Sequence, residues 1–291
     1  MKRKLSAVLA VLVIAGLFFS GCTSTEKTSG SDEPLETTKS GSDESSGNME
    51  SSADDSWETI KSKGKFIVGL DIEFPPMGFE DVNGEIVGFD IDMAKEAAKI
   101  LGVEVEFQPV IWDNVIMELN NKNIDVIWNG LSVTKERKEK ILFTDPYMED
   151  RQMIVVSKGS SIKGKADLAG KTVGLQAGSS SEKALEKDKE TMESIGEIVP
   201  YKSNNDALMD LRNGRLDAVV VDEVVGRYYI AKHMDEYEIL EDHFGVEEFA
   251  VGLRKGDKAF AEKLNEAINQ LKENGKAEEI SIKWFGENVV K

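Results

Sequence analysis

The stretch Glu118-Leu-Asn-Asn-Lys-Asn-Ile-Asp-Val-Ile127 is matched in character, position by position, by Asp210-Leu-Arg-Asn-Gly-Arg-Leu-Asp-Ala-Val219. In both, the pattern predicts the end of a helix, a turn, and an Asp directly before an apolar strand. Unrelated helix–turn–strand units can look alike, so that explanation of the match stays open. A structural match would mean that the chain contains two similarly built lobes.

Strand-like and helix-like segments alternate on both sides of these two stretches. The predicted strands are 65–71, 103–108, 124–128, 171–175, 197–201 and 216–221. The predicted helices begin after Asp90, which can cap its helix, span 113–120, begin at Ser181, span 206–213, and begin after Asp222. This alternation predicts an α/β fold with mainly parallel sheets. Two such lobes with facing sheet ends would form a cleft for a small ligand.

The composition excludes several classes of protein. The chain has 291 residues and a formal net charge of −18, so it lacks the surplus of Lys and Arg that binding to nucleic-acid phosphates needs. One cysteine excludes both a disulfide framework and a zinc site made of several thiolates.

Sequence patterns of common catalytic and cofactor sites are absent. There is no GxSxG, HExxH, Walker A or GxGxxG pattern. His233 and His243 lie among acidic residues, and we expect them to be exposed surface residues and not a metal pair. We therefore expect a protein that is not an enzyme and has no cofactor or metal.

Residues 1–21 predict a lipoprotein signal peptide that is cleaved before Cys22. A basic start at 2–4 precedes an uncharged, mostly apolar run at 5–19, which is shorter than the ~20 residues that span a bilayer. The run ends in Ser20-Gly21-Cys22, which resembles a bacterial lipobox with Phe19 where Leu is usual. An ordinary secretory signal with an incidental thiol is the alternative.

Residues 22–56 predict a lipidated cysteine followed by a disordered tether. The segment is rich in Ser, Thr, Gly and acidic residues and has almost no apolar side chains to bury. We expect the folded body to begin near Trp57.

Three polar stretches predict ligand capture. Residues 129–137 place small polar groups after a buried strand, followed by Arg137, which can hold a carboxylate through two parallel hydrogen bonds. The surrounding KERKEK run is also typical of a solvated helix face. Residues 178–182 combine free N–H groups at a helix start with hydroxyls, although Ser179 and Glu182 also fit a capping box.

The third stretch ends in Asp222, which directly follows an apolar strand. Its carboxylate can bind an ammonium group or can cap the next helix. Two anion sites and one cation site match a zwitterion, with a free α-carboxylate and a free α-ammonium.

Seven stretches occur in the order found in one known family and cover nearly all of residues 57–291. They are Phe74-Pro-Pro-Met-Gly-Phe79, Gly84-Glu-Ile-Val-Gly-Phe-Asp-Ile-Asp92, Leu131-Ser-Val-Thr-Lys-Glu-Arg137, Phe143-Thr-Asp-Pro-Tyr147, Asp167-Leu-Ala-Gly-Lys-Thr-Val-Gly174, Asp217-Ala-Val-Val-Val-Asp222 and Lys283-Trp-Phe-Gly286. The sequence resembles the amino-acid-binding proteins of bacterial ABC importers, solute-binding family 3, of the lysine/arginine/ornithine-, histidine- and glutamine-binding type.

The resemblance implies a two-lobed periplasmic-binding-protein-like fold of type II that closes on its ligand about a hinge. Lobe 1 would comprise 57–149 and 249–291, and lobe 2 would comprise 150–248. Two crossover strands would form the hinge near 149–151 and 246–248.

The resemblance also implies a role for each matching site residue. Arg137 would hold the ligand α-carboxylate, with Ser179 and Ser180 completing that site. Asp222 would receive the α-ammonium, helped by Ser132 and the Gly130 carbonyl. Phe74 and Trp112 would form the walls around the aliphatic part of the ligand. Selectivity for the ligand side chain would come from Asp71, Asn129 and Gln176.

The implied function is that of an extracytoplasmic lipoprotein that delivers a polar L-amino acid to separate permease and ATPase subunits. Asp71 favours a cationic, amide or cystine-like ligand. Two alternatives stay open, namely a prephenate or arogenate dehydratase on the same fold and a lipid-anchored amino-acid sensor.

Overall fold

The structure is a computed structural model that describes residues 54–291. The predicted signal peptide, Cys22 and most of the predicted tether lie outside the described residues. The helices are α1 (Ser56–Lys63), α2 (Phe89–Leu101), α3 (Val115–Asn120), α4 (Lys135–Lys140), α5 (Ser180–Lys187), α6 (Lys189–Ser194), α7 (Asn204–Arg212), α8 (Glu223–Lys232), α9 (Lys258–Glu273) and α10 (Lys276–Phe285).

The strands range in length from two to thirteen residues. They are β1 (Lys65–Leu70), β2 (Glu73–Phe74), β3 (Gly78–Glu80), β4 (Ile86–Val87), β5 (Glu104–Pro109), β6 (Val126–Ile127), β7 (Leu142–Phe143), β8 (Met148–Ser157), β9 (Thr172–Gln176), β10 (Glu197–Tyr201), β11 (Ala218–Asp222), β12 (Tyr237–Phe249) and β13 (Gly252–Leu253). Among the described residues, no helix is both long enough and apolar enough to cross a membrane.

Two five-stranded sheets form the centres of two lobes. The strand order is β5–β1–β6–β13–β7 in the first sheet and β10–β9–β11–β8–β12 in the second. β1 runs parallel to β5 and β6, and β9 runs parallel to β10 and β11. β13 and β8 each run antiparallel to both of their neighbours. The two-lobed α/β fold is confirmed, but the expectation of mainly parallel sheets is wrong, because four of the eight strand pairings in the two sheets are antiparallel.

The two matching stretches, 118–127 and 210–219, occupy equivalent places in the two sheets. One runs from α3 into β6 beside β1, and the other runs from α7 into β11 beside β9. Asp125 accepts a hydrogen bond from the Ile67 N–H at 3.1 Å, and Asp217 accepts one from the Thr172 N–H at 2.9 Å. Each Asp thus joins its own strand to the neighbouring strand, so the match reflects the same structural unit.

The chain passes between the sheets twice, and the two passages pair with each other. It leaves β7 for β8 and returns from β12 to β13. Residues 149–151 of β8 lie antiparallel to residues 246–248 of β12, where the sequence places the hinge strands. The Lys291 ammonium contacts both crossings, through Glu149 and Glu248 at 2.6 Å each.

Helix α2 begins two residues earlier than predicted, and Asp90 does not cap it. The N-cap position is Gly88, with φ of 145° and no side-chain cap. A Cβ on Gly88 would lie 2.2 Å from the Met77 carbonyl oxygen, so only glycine fits this close approach. Asp90 lies inside the first turn and is completely buried. The backbone approach at Gly88 moves the helix start and turns the carboxylate into the core.

The fold includes the last residues of the predicted tether. Asp54 accepts a hydrogen bond from the Ala259 N–H at 2.6 Å, and Ser56 accepts one from the Phe260 N–H at 3.0 Å. Trp57 stacks on Phe260 with ring centroids 6.2 Å apart. These residues supply hydrogen-bond partners at the start of α9, a distant contact that composition could not indicate.

Candidate functional site

The turn after β6 carries the first predicted site residues. The Asn129 amide oxygen accepts a hydrogen bond from the Asp71 N–H at 3.0 Å, and its amide nitrogen lies 3.5 Å from the Gly78 carbonyl oxygen. Asn129 is completely buried, so in this structure it holds the end of β1 in place. Gly130 has φ of 58°, and a Cβ there would lie 2.7 Å from the Phe74 ring.

Arg137 is the one buried residue of α4, which otherwise presents a solvated face. Thr134 caps this helix by accepting a hydrogen bond from the Arg137 N–H. The guanidinium donates to the Ser132 carbonyl at 3.0 Å and to the Gly178 carbonyl at 3.2 Å. It lies 5.8 Å from the centroid of the Trp112 ring. The guanidinium has five N–H donors, so it can bind a carboxylate in addition to these two carbonyl groups.

Two aromatic rings of lobe 1 face each other. The Phe74 and Trp112 rings are nearly parallel, at 7°, with centroids 6.3 Å apart. Both side chains are buried. They provide an apolar surface beside the polar turn.

In lobe 2, Ser179 and Ser180 take different roles. Ser179 accepts a hydrogen bond from the Glu182 N–H, and the Glu182 carboxylate accepts one from the Gly178 N–H at 3.0 Å. Ser179 therefore caps α5, as the capping-box pattern predicts. The Ser180 hydroxyl instead lies toward lobe 1 and pairs with Ser132.

Asp222 stands at the N-cap position of α8, but its side chain makes no cap hydrogen bond. One carboxylate oxygen accepts a hydrogen bond from the Gln152 amide at 2.7 Å. Asp222 is buried at the end of β11. The carboxylate is thus held for a role other than helix capping.

Three hydrogen bonds join residues of the two lobes across the cleft. The Ser132 and Ser180 hydroxyls are 2.9 Å apart, and Arg137 reaches the Gly178 carbonyl. The Gln176 amide donates to the Asp71 carboxylate at 2.6 Å. The structure therefore brings the predicted groups from both lobes together in a closed arrangement.

Gln152 of the crossover strand β8 is a central residue that the sequence interpretation missed. Its amide nitrogen lies within hydrogen-bond distance of Asp222, Ser180 and Glu247, and its amide oxygen accepts from Ser181. It thereby links the predicted ammonium site, the predicted carboxylate site and the second crossover strand. A polar residue directly before the apolar run 153–156 was the available signal.

Buried acids accumulate where the crossover strands meet lobe 2. Burial raises the pKa of Asp222, and the nearby Glu247 raises it further, while Arg137 opposes the shift. Burial followed by the charge of Asp222 raises the pKa of Asp150 well above its usual range. The site therefore disfavours negative charge and would gain from a cationic group beside these carboxylates.

The histidines take no part in this site. His233 and His243 are half-buried on lobe 2, where full exposure was predicted, because each ring lies against its own chain segment. Within residues 54–291, no cluster of three or more His, Cys, Asp or Glu side chains could hold a metal ion.

Comparison with known proteins identifies the family of the chain. Residues 66–287 match the family model of the bacterial extracellular solute-binding proteins, family 3. The chain belongs to this family. A solved solute-binding protein of an ABC uptake transporter from Streptococcus pneumoniae, with bound histidine, is 40% identical. The match covers 82% of this chain and 99% of that chain, with a TM-score of 0.79.

Curated relatives of this family-3 protein bind different amino acids. The L-cystine-binding protein of Escherichia coli is 33% identical over 80% of this chain and 86% of its own length. The arginine-binding extracellular protein of Bacillus subtilis is 33% identical over 77% of this chain and 87% of its own length. These relatives are binding proteins and not enzymes. A solved ancestral amino-acid-binding protein, described as a precursor of cyclohexadienyl dehydratase, is 36% identical with a TM-score of 0.72.

Replacing Asp150 by Asn should flatten the dependence of the ligand-free protein's stability on pH. Because the pKa of Asp150 is raised on folding, the unfolded chain loses this proton first, and the stability contributed by the group falls as pH rises above about 4. Asn keeps an acceptor for the Val224 N–H but cannot ionise. Urea unfolding should find the variant more stable than the wild type at pH 8, with the difference vanishing near pH 4.

The exposed Asp145 provides the matched control, since Asp145→Asn removes an acid outside the buried cluster. Parallel stability curves for Asp150→Asn and the wild type between pH 4 and 8 would contradict the assignment.

Proposed function

We propose that this protein is the lipid-anchored substrate-binding component of an amino-acid ABC importer, which captures a polar L-amino acid and delivers it to a membrane permease. The observation that carries the proposal is that Arg137 and Asp222, from different lobes, both connect to the contact between Ser132 and Ser180. Arg137 donates to the Ser132 carbonyl, and Asp222 is linked to Ser180 through the Gln152 amide. A cation and an anion held in one closed cleft match the two charged groups of an α-amino acid.

Each part of the ligand has a partner in this proposal. Arg137 and the start of α5, with Ser179 and Ser180, bind the α-carboxylate. Asp222, Ser132 and the Gly130 carbonyl bind the α-ammonium. Phe74 and Trp112 enclose the aliphatic part. The relatives support the assignment of an amino-acid ligand, because their names describe proteins that bind arginine, histidine and cystine.

Closure about the crossover strands completes the site. We propose lobe 1 as 57–149 with 249–291, and lobe 2 as 150–248. The predicted residues of either lobe alone offer only part of the ligand's contacts, so a bound amino acid favours the closed form by its additional contacts there. The paired crossover segments 149–151 and 246–248 support this hinge.

The Arg137→Ala variant should lose amino-acid binding. Removing one partner of a buried charge pair costs ~2–5 kcal/mol, which corresponds to a roughly 30- to several-thousand-fold weaker Kd. Calorimetry of residues 54–291 with L-arginine, L-histidine, L-glutamine and L-cystine measures the effect. Arg215→Ala is the control, since Arg215 is exposed and pairs only at the surface.

Undiminished binding by Arg137→Ala would overturn the carboxylate assignment. Conversion of arogenate to phenylalanine by the wild type would support the dehydratase alternative instead.

The far end of the cleft supports a ligand side chain that donates hydrogen bonds. Burial raises the pKa of Asp71, whose carboxylate accepts from the Glu73 N–H and from Gln176. The Gln176 amide oxygen accepts from Asn204, whose own amide oxygen is buried without a hydrogen-bond partner. The Asp71 carboxylate and the Asn204 amide oxygen can therefore each accept a further hydrogen bond. These two acceptors favour a cationic ligand over an amide or cystine-like ligand.

The Asp71→Asn variant should therefore discriminate between ligand classes. It keeps an acceptor for the Glu73 N–H but loses the charge. A hydrogen bond to a charged group contributes ~1.5–3 kcal/mol, so binding of L-arginine should weaken about tenfold or more, while binding of L-glutamine changes little. Glu73→Gln, at an exposed acid two residues away, is the control. Equal losses for both ligands would contradict a cationic preference.

Anchoring depends on Cys22, which lies outside the described residues. In a bacterial host that expresses the whole chain, labelled palmitate should enter the protein and follow it to the membrane fraction. Cys22→Ser should abolish the label, whereas Ser24→Ala should keep it. Label retained on Cys22→Ser would rule out this anchor.

A further inference from the structure

Asp90 is a completely buried carboxylate that neither caps a helix nor belongs to the proposed ligand contacts. Its Oδ2 accepts hydrogen bonds from the Gly130 N–H at 2.7 Å and from the Tyr147 hydroxyl at 2.9 Å. Its Oδ1 is buried with no hydrogen-bond partner. A carboxylate that is buried in this way costs free energy, and one of its oxygens has no partner. The presence of Asp90 in the core therefore calls for an explanation.

The hydrogen-bond donors to Asp90, the Gly130 N–H and the Tyr147 hydroxyl, are both neutral. Burial raises the pKa of Asp90 to about 7, while these two hydrogen bonds lower it. The first turn of α2 adds the positive end of the helix dipole. These donors thus hold a hydrogen-bond acceptor at a buried position, where an apolar side chain would carry no cost of burying a carboxylate.

Gly130 is the residue that Asp90 holds most closely. It is left-handed at φ of 58° and lies between Asn129, which holds the end of β1, and Ser132, which contacts both Arg137 and Ser180. Because a Cβ at Gly130 would overlap the Phe74 ring, no side chain can restrain this residue. The hydrogen bond from the Gly130 N–H to Asp90 supplies that restraint through the backbone.

Tyr147 connects the same carboxylate to the hinge. It immediately precedes β8 in the chain, and its N–H donates to the Phe249 carbonyl at the end of β12. Its ring is completely buried between those of Phe89 and Trp128. Asp90 thus contacts both the turn of the site and the point where the two crossover strands leave lobe 1.

We propose that Asp90 is a positioning residue for amino-acid capture, which fixes the Gly130 turn relative to the start of the crossover strands through its Oδ2. The inference rests on the proposed function, because it assigns Asp90 an effect on the affinity of that same site. Loss of the acceptor lets the Gly130 carbonyl and Ser132 leave the orientation that the ligand ammonium needs, and weakens binding without any lost ligand contact.

The test compares three variants with the wild type, each produced as the whole chain. Asp90→Val removes the acceptor, Asp90→Asn keeps an amide oxygen of similar size in its place, and Tyr147→Phe removes only the hydroxyl. Asp92→Asn is the matched control on the same helix, since Asp92 pairs with Lys283 and Trp284 at the surface. Calorimetry with L-arginine, L-histidine, L-glutamine and L-cystine gives the Kd, and urea unfolding gives the stability without ligand.

A second readout reports the hydrogen bond itself. The amide proton of Gly130 should lie far downfield in the ligand-free wild type, move upfield in Asp90→Asn, and move furthest in Asp90→Val. This signal depends on the acceptor at residue 90, and a general loss of stability does not reproduce the graded order.

The expected result is a Kd at least tenfold weaker for Asp90→Val and several-fold weaker for Tyr147→Phe. Asp90→Asn should recover most of the affinity, and Asp92→Asn should bind like the wild type. If Asp90→Val does not fold, Tyr147→Phe and Asp90→Asn decide the matter through the same two readouts.

Two results would overturn the inference, and they are distinguishable. If the wild type binds none of the four amino acids, the proposed function fails and this role of Asp90 fails with it. If the wild type binds and the folded variants at 90 and 147 bind equally well, the proposed function stands and Asp90 is only a structural residue.

Discussion

The contact between the Ser132 and Ser180 hydroxyls joins the ends of two separately built sheets, and the candidate site exists only where those ends meet. Each sheet contributes polar groups that would be incomplete alone. Arg137 belongs to the lobe of Ser132, and Asp222 belongs to the lobe of Ser180. In the proposed function the hinge is therefore part of the binding chemistry, since it would decide whether opposite charges share one cleft.

The cost of buried charge explains much of the surrounding structure. Asp150 and Asp222 lie close together in the interior, and burial makes their ionised forms unfavourable. A zwitterionic ligand would bring an ammonium to one and a carboxylate to Arg137, so it would relieve a cost that the protein carries without it. Gln152 lies at the centre of this arrangement because its amide can donate to carboxylates without adding charge.

Local sequence patterns predicted most of the fold, and these patterns together with the family resemblance predicted the residues of the candidate site. The strand Glu197–Tyr201 has the predicted bounds, and the helix after Asp222 begins where expected. Other boundaries differ from the prediction because distant contacts override the local pattern. Helix α2 has its N-cap at Gly88 because the Met77 carbonyl lies against this glycine. Asp54 belongs to the fold because it accepts a hydrogen bond from the start of α9. The acids Asp90 and Asp150 were not singled out for the site, because nothing in their own segments indicates which backbone groups they face.

The α/β class, the repeated helix–turn–strand unit and the residue types of the candidate site follow from the chain alone, because periodicity and spacing are local properties. Which of these residues come together depends on the tertiary structure. Ser179 caps a helix while its neighbour Ser180 reaches the other lobe, and Asp222 leaves its cap position unused to bond with Gln152. These choices depend on hydrogen bonds between residues far apart in sequence, whose partners are defined only once both sheets have formed and the crossover strands have paired.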